Sequence, residues 1–262
     1  MPIPIVCSWS TRFHGPGLEE MPEAVLAALG AADDAVRMPF DLDAPPIEAL
    51  QAGLPALADT VEAHAGGLPI ALVGECTLAP AVFAGIRRKY PGVAVIWIDA
   101  HGDLNTPETS PSGFLGGMPF AVALGWALPE LAAAAGLGEP IAIERAVLVG
   151  ARDLDPGEQE GIERTGLQSV EDVAAALAVL PSDVPLHVHL DTDVVDPEAL
   201  PGMDFPAPDG WSVERMLDEC SALAATGRIV GISVCGGNAR RDDGGAAARA
   251  AADGIRALLG ER

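Results

Sequence analysis

Six short hydrophobic runs, at residues 3–8, 69–74, 93–99, 146–150, 186–190 and 229–234, punctuate the 262-residue chain. Several are apolar almost without a break. A strand with one face in water alternates apolar and polar side chains, whereas one without a polar face has to be covered on both sides. Stretches rich in Ala and Leu lie between the runs, and residues 20–28, 47–65, 78–89, 156–165, 170–179, 213–225 and 246–259 read as helices. Thr77 is placed to cap the third of these and Ser212 the sixth. This alternation predicts an α/β fold on a parallel sheet. With 49% hydrophobic residues, the chain has enough apolar surface for one large core, and residues 1–262 read as a single domain. There is no internal repeat and no long linker. The low-complexity patch "RRDDGGAAARAA" is expected to join the last strand to the last helix.

The formal charge of −23 comes from 38 acidic against 15 basic residues, with Lys89 the sole lysine. Such a surface repels phosphate backbones and anionic lipid, which argues against nucleic-acid and membrane partners. No apolar run approaches the roughly 20 residues that span a bilayer. The four cysteines, Cys7, Cys76, Cys220 and Cys235, form no CxxC pair, and "MPIPIVCSWS" lacks the basic start of a signal peptide. A cytoplasmic location is the expectation.

In open α/β sheets, ligands bind beyond the carboxyl ends of the strands. Asp99 closes one run and is followed at alternate positions by His101 and Asp103; Asp191 closes another and is followed by Asp193; Glu75 and Cys76 follow a third. In extended backbone, alternate side chains point the same way. Four carboxylates brought together would raise one another's pKa, and divalent cations such as Mn²⁺ would relieve that conflict.

The segments "DAHGDLNTPETSPSG" and "LDTDVVDP", with "VGARDLDPGEQEGI" between them, resemble the ureohydrolases, the arginase and agmatinase superfamily. The resemblance implies a three-layer α/β/α fold with a parallel sheet of about eight strands, assembly into trimers or hexamers, and two Mn²⁺ ions per chain. It implies that Asp99 and Asp191 bridge the metals, that His101 and Asp193 complete one ion, and that Asp103 binds the other and handles the proton of the leaving amine. Asn105, Ser110, Ser112 and Asp155 correspond to positions that hold an amino-acid substrate; loop residues of these types also commonly bond their own backbone.

Three positions depart from the pattern. Cys76 stands where the family has a histidine ligand, and reads either as a softer ligand or as a buried free thiol. Gly116 replaces a histidine proton shuttle, and Phe114 replaces the last asparagine of the set that holds the substrate carboxylate. Gly236 replaces a glutamate that clamps the guanidinium, although Asn238 is kept. A narrower branch, the Nω-hydroxy-L-arginine amidinohydrolases of D-cycloserine biosynthesis, is similar in "NTPETSPSGFLGGM" and in the cysteine. The expected function is therefore metal-dependent hydrolysis of a C–N bond in an amidino or N-hydroxyguanidino amino acid, possible substrates including Nω-hydroxy-L-arginine. The alternative is a catalytically impaired ureohydrolase-fold protein with a binding or structural role. A dinucleotide-binding domain fails because no GxGxxG follows the first strand.

Overall fold

A computed structural model describes residues 5–8, 16–31, 35–38, 40–41 and 43–261. Eight strands form one all-parallel sheet: β1 (Ile5–Ser8), β2 (Ala35–Met38), β3 (Ile70–Val73), β4 (Ala94–Ile98), β5 (Ala146–Val149), β6 (Gln168–Val170), β7 (Leu186–Asp191) and β8 (Ile229–Cys235). Their spatial order is β2-β1-β3-β8-β7-β4-β5-β6. The expected first strand begins at residue 3, and residues 3 and 4 lie outside the described residues.

The strands sort their side chains by alternation into two cores. Ile70, Leu72, Ile96, Ile98, Val188 and Leu190 pack on one face with helices α1 (Met21–Leu29), α7 (Val173–Val179), α8 (Val213–Ala225) and α9 (Ala246–Leu258). Ala71, Val73, Val95, Trp97 and Leu148 point to the other face. There they meet α2 (Pro46–His64), α3 (Ala79–Lys89), α4 (Pro119–Ala123) and α5 (Pro129–Ala135). The last helix of the set, α6 (Pro156–Thr165), follows β5, and its Ile162 packs on this second core. This is the three-layer α/β/α arrangement.

Several boundaries differ from the sequence reading. Val170 belongs to β6 rather than to a helix, and α7 begins at Val173 with Asp172 as its cap. Ser212 caps α8 as expected, its Oγ accepting from Arg215 N at 3.0 Å. Thr77 does not cap α3. It lies within a 3₁₀ turn over Cys76–Leu78, and its hydroxyl donates to Glu75 Oε2 at 3.3 Å. The segment before α9 does join it to β8, through a loop in which Asp242 receives Ala247 N and Ala248 N.

Candidate metal centre

The four adjacent strands β3, β8, β7 and β4 end together, and a cleft of about 480 Å³ opens over those ends. Its lining includes Glu75 and Cys76 after β3, Asp99 after β4, Asp191 at the tip of β7 and Gly236 after β8. His101, Asp103, Asn105, Ser110, Ser112, Asp155 and Asp193 line it as well, so every candidate site residue reaches one cavity.

The route by which they arrive is not simple strand alternation. His101 still forms a parallel bridge to Asp153, but Asp103 has a left-handed backbone with φ of 52°. A residue with a short polar side chain tolerates this conformation, which is uncommon outside glycine. Asp193 sits in a 3₁₀ turn over Thr192–Val194, with its N–H donated to Asp191 Oδ1 at 2.8 Å. The two motif segments are therefore folded back onto the site. Two buried or half-buried groups absent from the sequence reading hold them there. Glu158 accepts from Leu104 N and from Asp155 N, both at 2.9 Å. Arg152 donates to the carbonyls of Asp193, Val194, Ala207 and Pro208.

Two donor groups stand out. In the first, His101 Nδ1 lies 3.0 Å from Asp193 Oδ2 and 3.3 Å from Asp99 Oδ1. Burial works against a charge on this ring, but the two carboxylates overcome it and push its pKa up to about 12. In the second, Cys76, Asp99 and Asp103 each bring a donor atom within 4.8 Å of the others. Asp103 Oδ2 is buried with no hydrogen-bond partner among the described residues. Burial, reinforced by neighbouring charge, raises Asp99 and Asp103, takes Asp191 to about 7 and takes Asp193 to about 6. An orphaned carboxylate oxygen among repelling acids is the environment that a divalent cation satisfies, so the residues present fit such an ion.

A profile of the arginase family matches residues 7–260. The chain belongs to the arginase family. An Nω-hydroxy-L-arginine amidinohydrolase of Streptomyces lavendulae is 34% identical over 189 residues, 71% of this chain and 66% of that protein. An arginase of Bacillus subtilis is 33% identical over 205 residues, 74% of this chain and 69% of that one. In these alignments the chain spans about two thirds of its relatives' length. The crystal structure of arginase from Bacillus subtilis superposes with a TM-score of 0.91 at 27% identity, covering 100% of this chain and 99% of that chain.

The backbone shows why two positions lining the cleft are glycine. Gly236 has φ of 96°, and a Cβ there would stand 2.3 Å from Asp191 Oδ1 and 2.5 Å from Thr192 Oγ1. The backbone turns too tightly over Asp191 for any side chain. At Gly116, a Cβ would meet the Phe114 ring at 2.1 Å. Phe114 fills the space that a side chain at 116 would use, and stacks on Phe205 at 5.1 Å, which in turn meets the edge of His101 at 6.5 Å. Positions 114 and 116 are thus packed as a pair.

Other expected contacts are local. Ser110 Oγ accepts from Gly113 N and Ser112 Oγ from Phe114 N, so both also shape the loop. Asn105 donates to Asp155 Oδ2 at 2.8 Å, coupling two of the residues expected to hold the substrate. Asn238, kept from the family pattern, ties Asp204 and Pro16 to the β8 end.

Sequence reading passed over His189 and Cys235. Cys235 stands opposite Asp191 in the β7–β8 register, and its Sγ lies 3.1 Å from Asp191 Oδ2 and 3.3 Å from Cys76 Sγ. His189 Nε2 lies 3.6 Å from Cys235 Sγ. The signal was present in "LHVHLD", where alternate histidines share one face of a strand.

Proposed function

We propose that this arginase-family chain hydrolyses a C–N bond in an amidino or N-hydroxyguanidino amino acid, with two divalent cations, Mn²⁺ in the first instance. The observation that carries this is the convergence of Asp99, His101, Asp103, Asp191 and Asp193 on the floor of one cleft, with Asp103 Oδ2 left unpartnered. In this reading Asp99 and Asp191 hold both ions, His101 and Asp193 complete one, and Asp103 with Cys76 completes the other. When bound, such ions neutralise the clustered carboxylates and supply a nucleophile from water at neutral pH.

The remaining work belongs to the chain's own groups. Asp155 and Asn105, with Ser110 and Ser112, flank the end that would receive the α-amino acid. Asp103 also passes a proton toward the departing nitrogen. The amidino end lacks a carboxylate at 236, and Glu75 takes its place in this reading. It lines the same cleft, is buried, and its Oε1 has no partner among the described residues. Phe114 and Phe205 add an apolar wall to the cleft, which favours a less strongly solvated substrate than one ending in a plain guanidinium. Nω-hydroxy-L-arginine is the substrate we favour. Assembly into trimers or hexamers and a cytoplasmic location belong to the same reading. No helix of the described residues is long and apolar enough to cross a membrane, and Cys76 and Cys235 are in no disulfide.

The test is a side-by-side assay of Nω-hydroxy-L-arginine, arginine and agmatine with Mn²⁺-loaded protein. Nω-hydroxy-L-arginine should be cut fastest. Glu75→Gln should raise KM more than it lowers kcat. Arginine as the fastest substrate would overturn the assignment of the amidino end, and no turnover of any of the three would favour the non-catalytic alternative.

A further inference from the structure

We infer that Cys76, Cys235, His189 and Asp191 form a thiolate-rich site for a thiophilic divalent cation, Zn²⁺, in which Cys235 and His189 are ligands that the oxygen-rich set around His101 lacks. The inference extends the reading above, from which it borrows Cys76 and Asp191, but metal binding here does not depend on turnover.

The geometry comes first. Cys76 Sγ and Cys235 Sγ lie 3.2 and 3.1 Å from the same oxygen, Asp191 Oδ2, and 3.3 Å from each other. His189 Nε2 is 3.6 Å from Cys235 Sγ, and the two sulfurs and the ring offer one donor each within 4.8 Å. Zn–S bonds of about 2.3 Å and Zn–N or Zn–O bonds of about 2.0 Å put tetrahedral donors about 3.3–3.8 Å apart. Asp191 Oδ2 and the two sulfurs already stand close to that spacing, and the His189 ring lies beside Cys235. Both thiols now direct their protons at one carboxylate oxygen, and those two protons would leave to solvent as the metal–sulfur bonds form.

The register builds the site into the sheet. Asp191 faces Cys235, His189 faces Ser233, and Trp97 faces His189 across adjacent strands. Ser233 Oγ is 2.9 Å from His189 Nδ1, leaving Nε2 as the nitrogen that faces the sulfurs. A hydrogen bond at the far nitrogen of this kind fixes the tautomer and orientation of a ligating imidazole. The indole of Trp97 lies against the His189 ring, with centroids 3.9 Å apart, and holds it in place. Cys76 and Cys235 both border the apolar core beneath α2 and α3, where a soft ion with two thiolates is better matched than Mn²⁺. The substitution at 76 is thus half of a pair: the second sulfur and the histidine come from strands that the oxygen-rich set does not use in this way.

Cobalt(II) tests this directly, because thiolate ligation gives a sulfur-to-metal charge-transfer band and tetrahedral geometry gives intense visible bands. Reduced, chelator-stripped wild-type protein titrated with Co²⁺ should develop both, and Zn²⁺ but not Mn²⁺ should bleach them. Cys235→Ala should remove the charge-transfer intensity contributed by its sulfur and weaken Zn²⁺ binding at least as much as loss of an outer-shell partner, about 10–100-fold. Ser233→Ala should weaken it within that range while keeping the band. Asp99→Asn, which cripples the oxygen-rich set, should leave the band in place. A wild-type spectrum without thiolate charge transfer overturns the inference without any variant having to fold, as does a band unchanged in Cys235→Ala. A band in a protein that cuts none of the three substrates would leave this site standing and remove the hydrolase reading. Turnover without a band would do the reverse.

Discussion

At the residue scale, glycine carries much of the site's specificity. Gly236 looks in the sequence like a lost functional group, yet its backbone at φ of 96° folds directly over Asp191 and Thr192. A glutamate there would collide with a proposed metal ligand before it could meet a substrate. Gly236→Ala should cost about 1–3 kcal/mol through the left-handed backbone alone, with the close approach adding to it. A lower urea midpoint at unchanged m-value would register this; an unchanged midpoint would mean that the turn relaxes. The carboxylates were legible as a group because their spacing at strand ends is a chemical pattern. His189 and Cys235 were not, because inside a hydrophobic run a histidine or cysteine reads as strand filling. What distinguishes them is the register with β4 and β8, and single-sequence reasoning supplies no register.

At the scale of elements, the central strands were readable and the edges were not. β3, β4 and β5 are buried at every position, which is why their sequences are apolar without interruption. β2 and β6 have burial patterns of half-exposed and exposed residues, and three or four such residues carry no periodicity to detect. The short helices α4 and α5 escaped for a related reason, since five and seven residues complete too few turns to show a stripe. Helix starts divided along chemical lines. Ser212 presents its hydroxyl to Arg215 N, whereas Thr77 spends its own on Glu75. Ser212→Ala should therefore lower unfolding free energy by about 1 kcal/mol in a denaturant titration. Equal stability of the two proteins would mean that water replaces the cap without loss.

For the molecule as a whole, the buried acids tie stability to pH and to metal. Asp191 at about 7 and Asp193 at about 6 stand above their unfolded values, chiefly through burial. From about pH 4 up to those values the metal-free folded chain holds more protons than the unfolded chain, so stability falls as pH rises through that window. His101, at about 12, contributes fully below its unfolded value of 6.5 and loses that contribution as pH climbs above it. Both effects run in the same direction. Added Mn²⁺ should consequently raise the Tm more at pH 7.5 than at pH 5, because at the lower pH protons already do part of the neutralising. An equal rise at both values, read by calorimetry, would show that cation binding is not linked to these carboxylates.

The interlock of Phe114 with Gly116 also bears on how such a cleft changes over time. With the ring in place, Gly116→His must push Phe114 aside, because its Cβ would lie 2.1 Å from Phe114 Cζ. Taken alone it should lower the Tm, and Phe114→Asn alone should leave a void beside Phe205. Made together, the two should restore a folded protein, a non-additivity that thermal melts of the single and double variants would measure. Residues 114 and 116 would then have to change together for the wall of the cleft to change form.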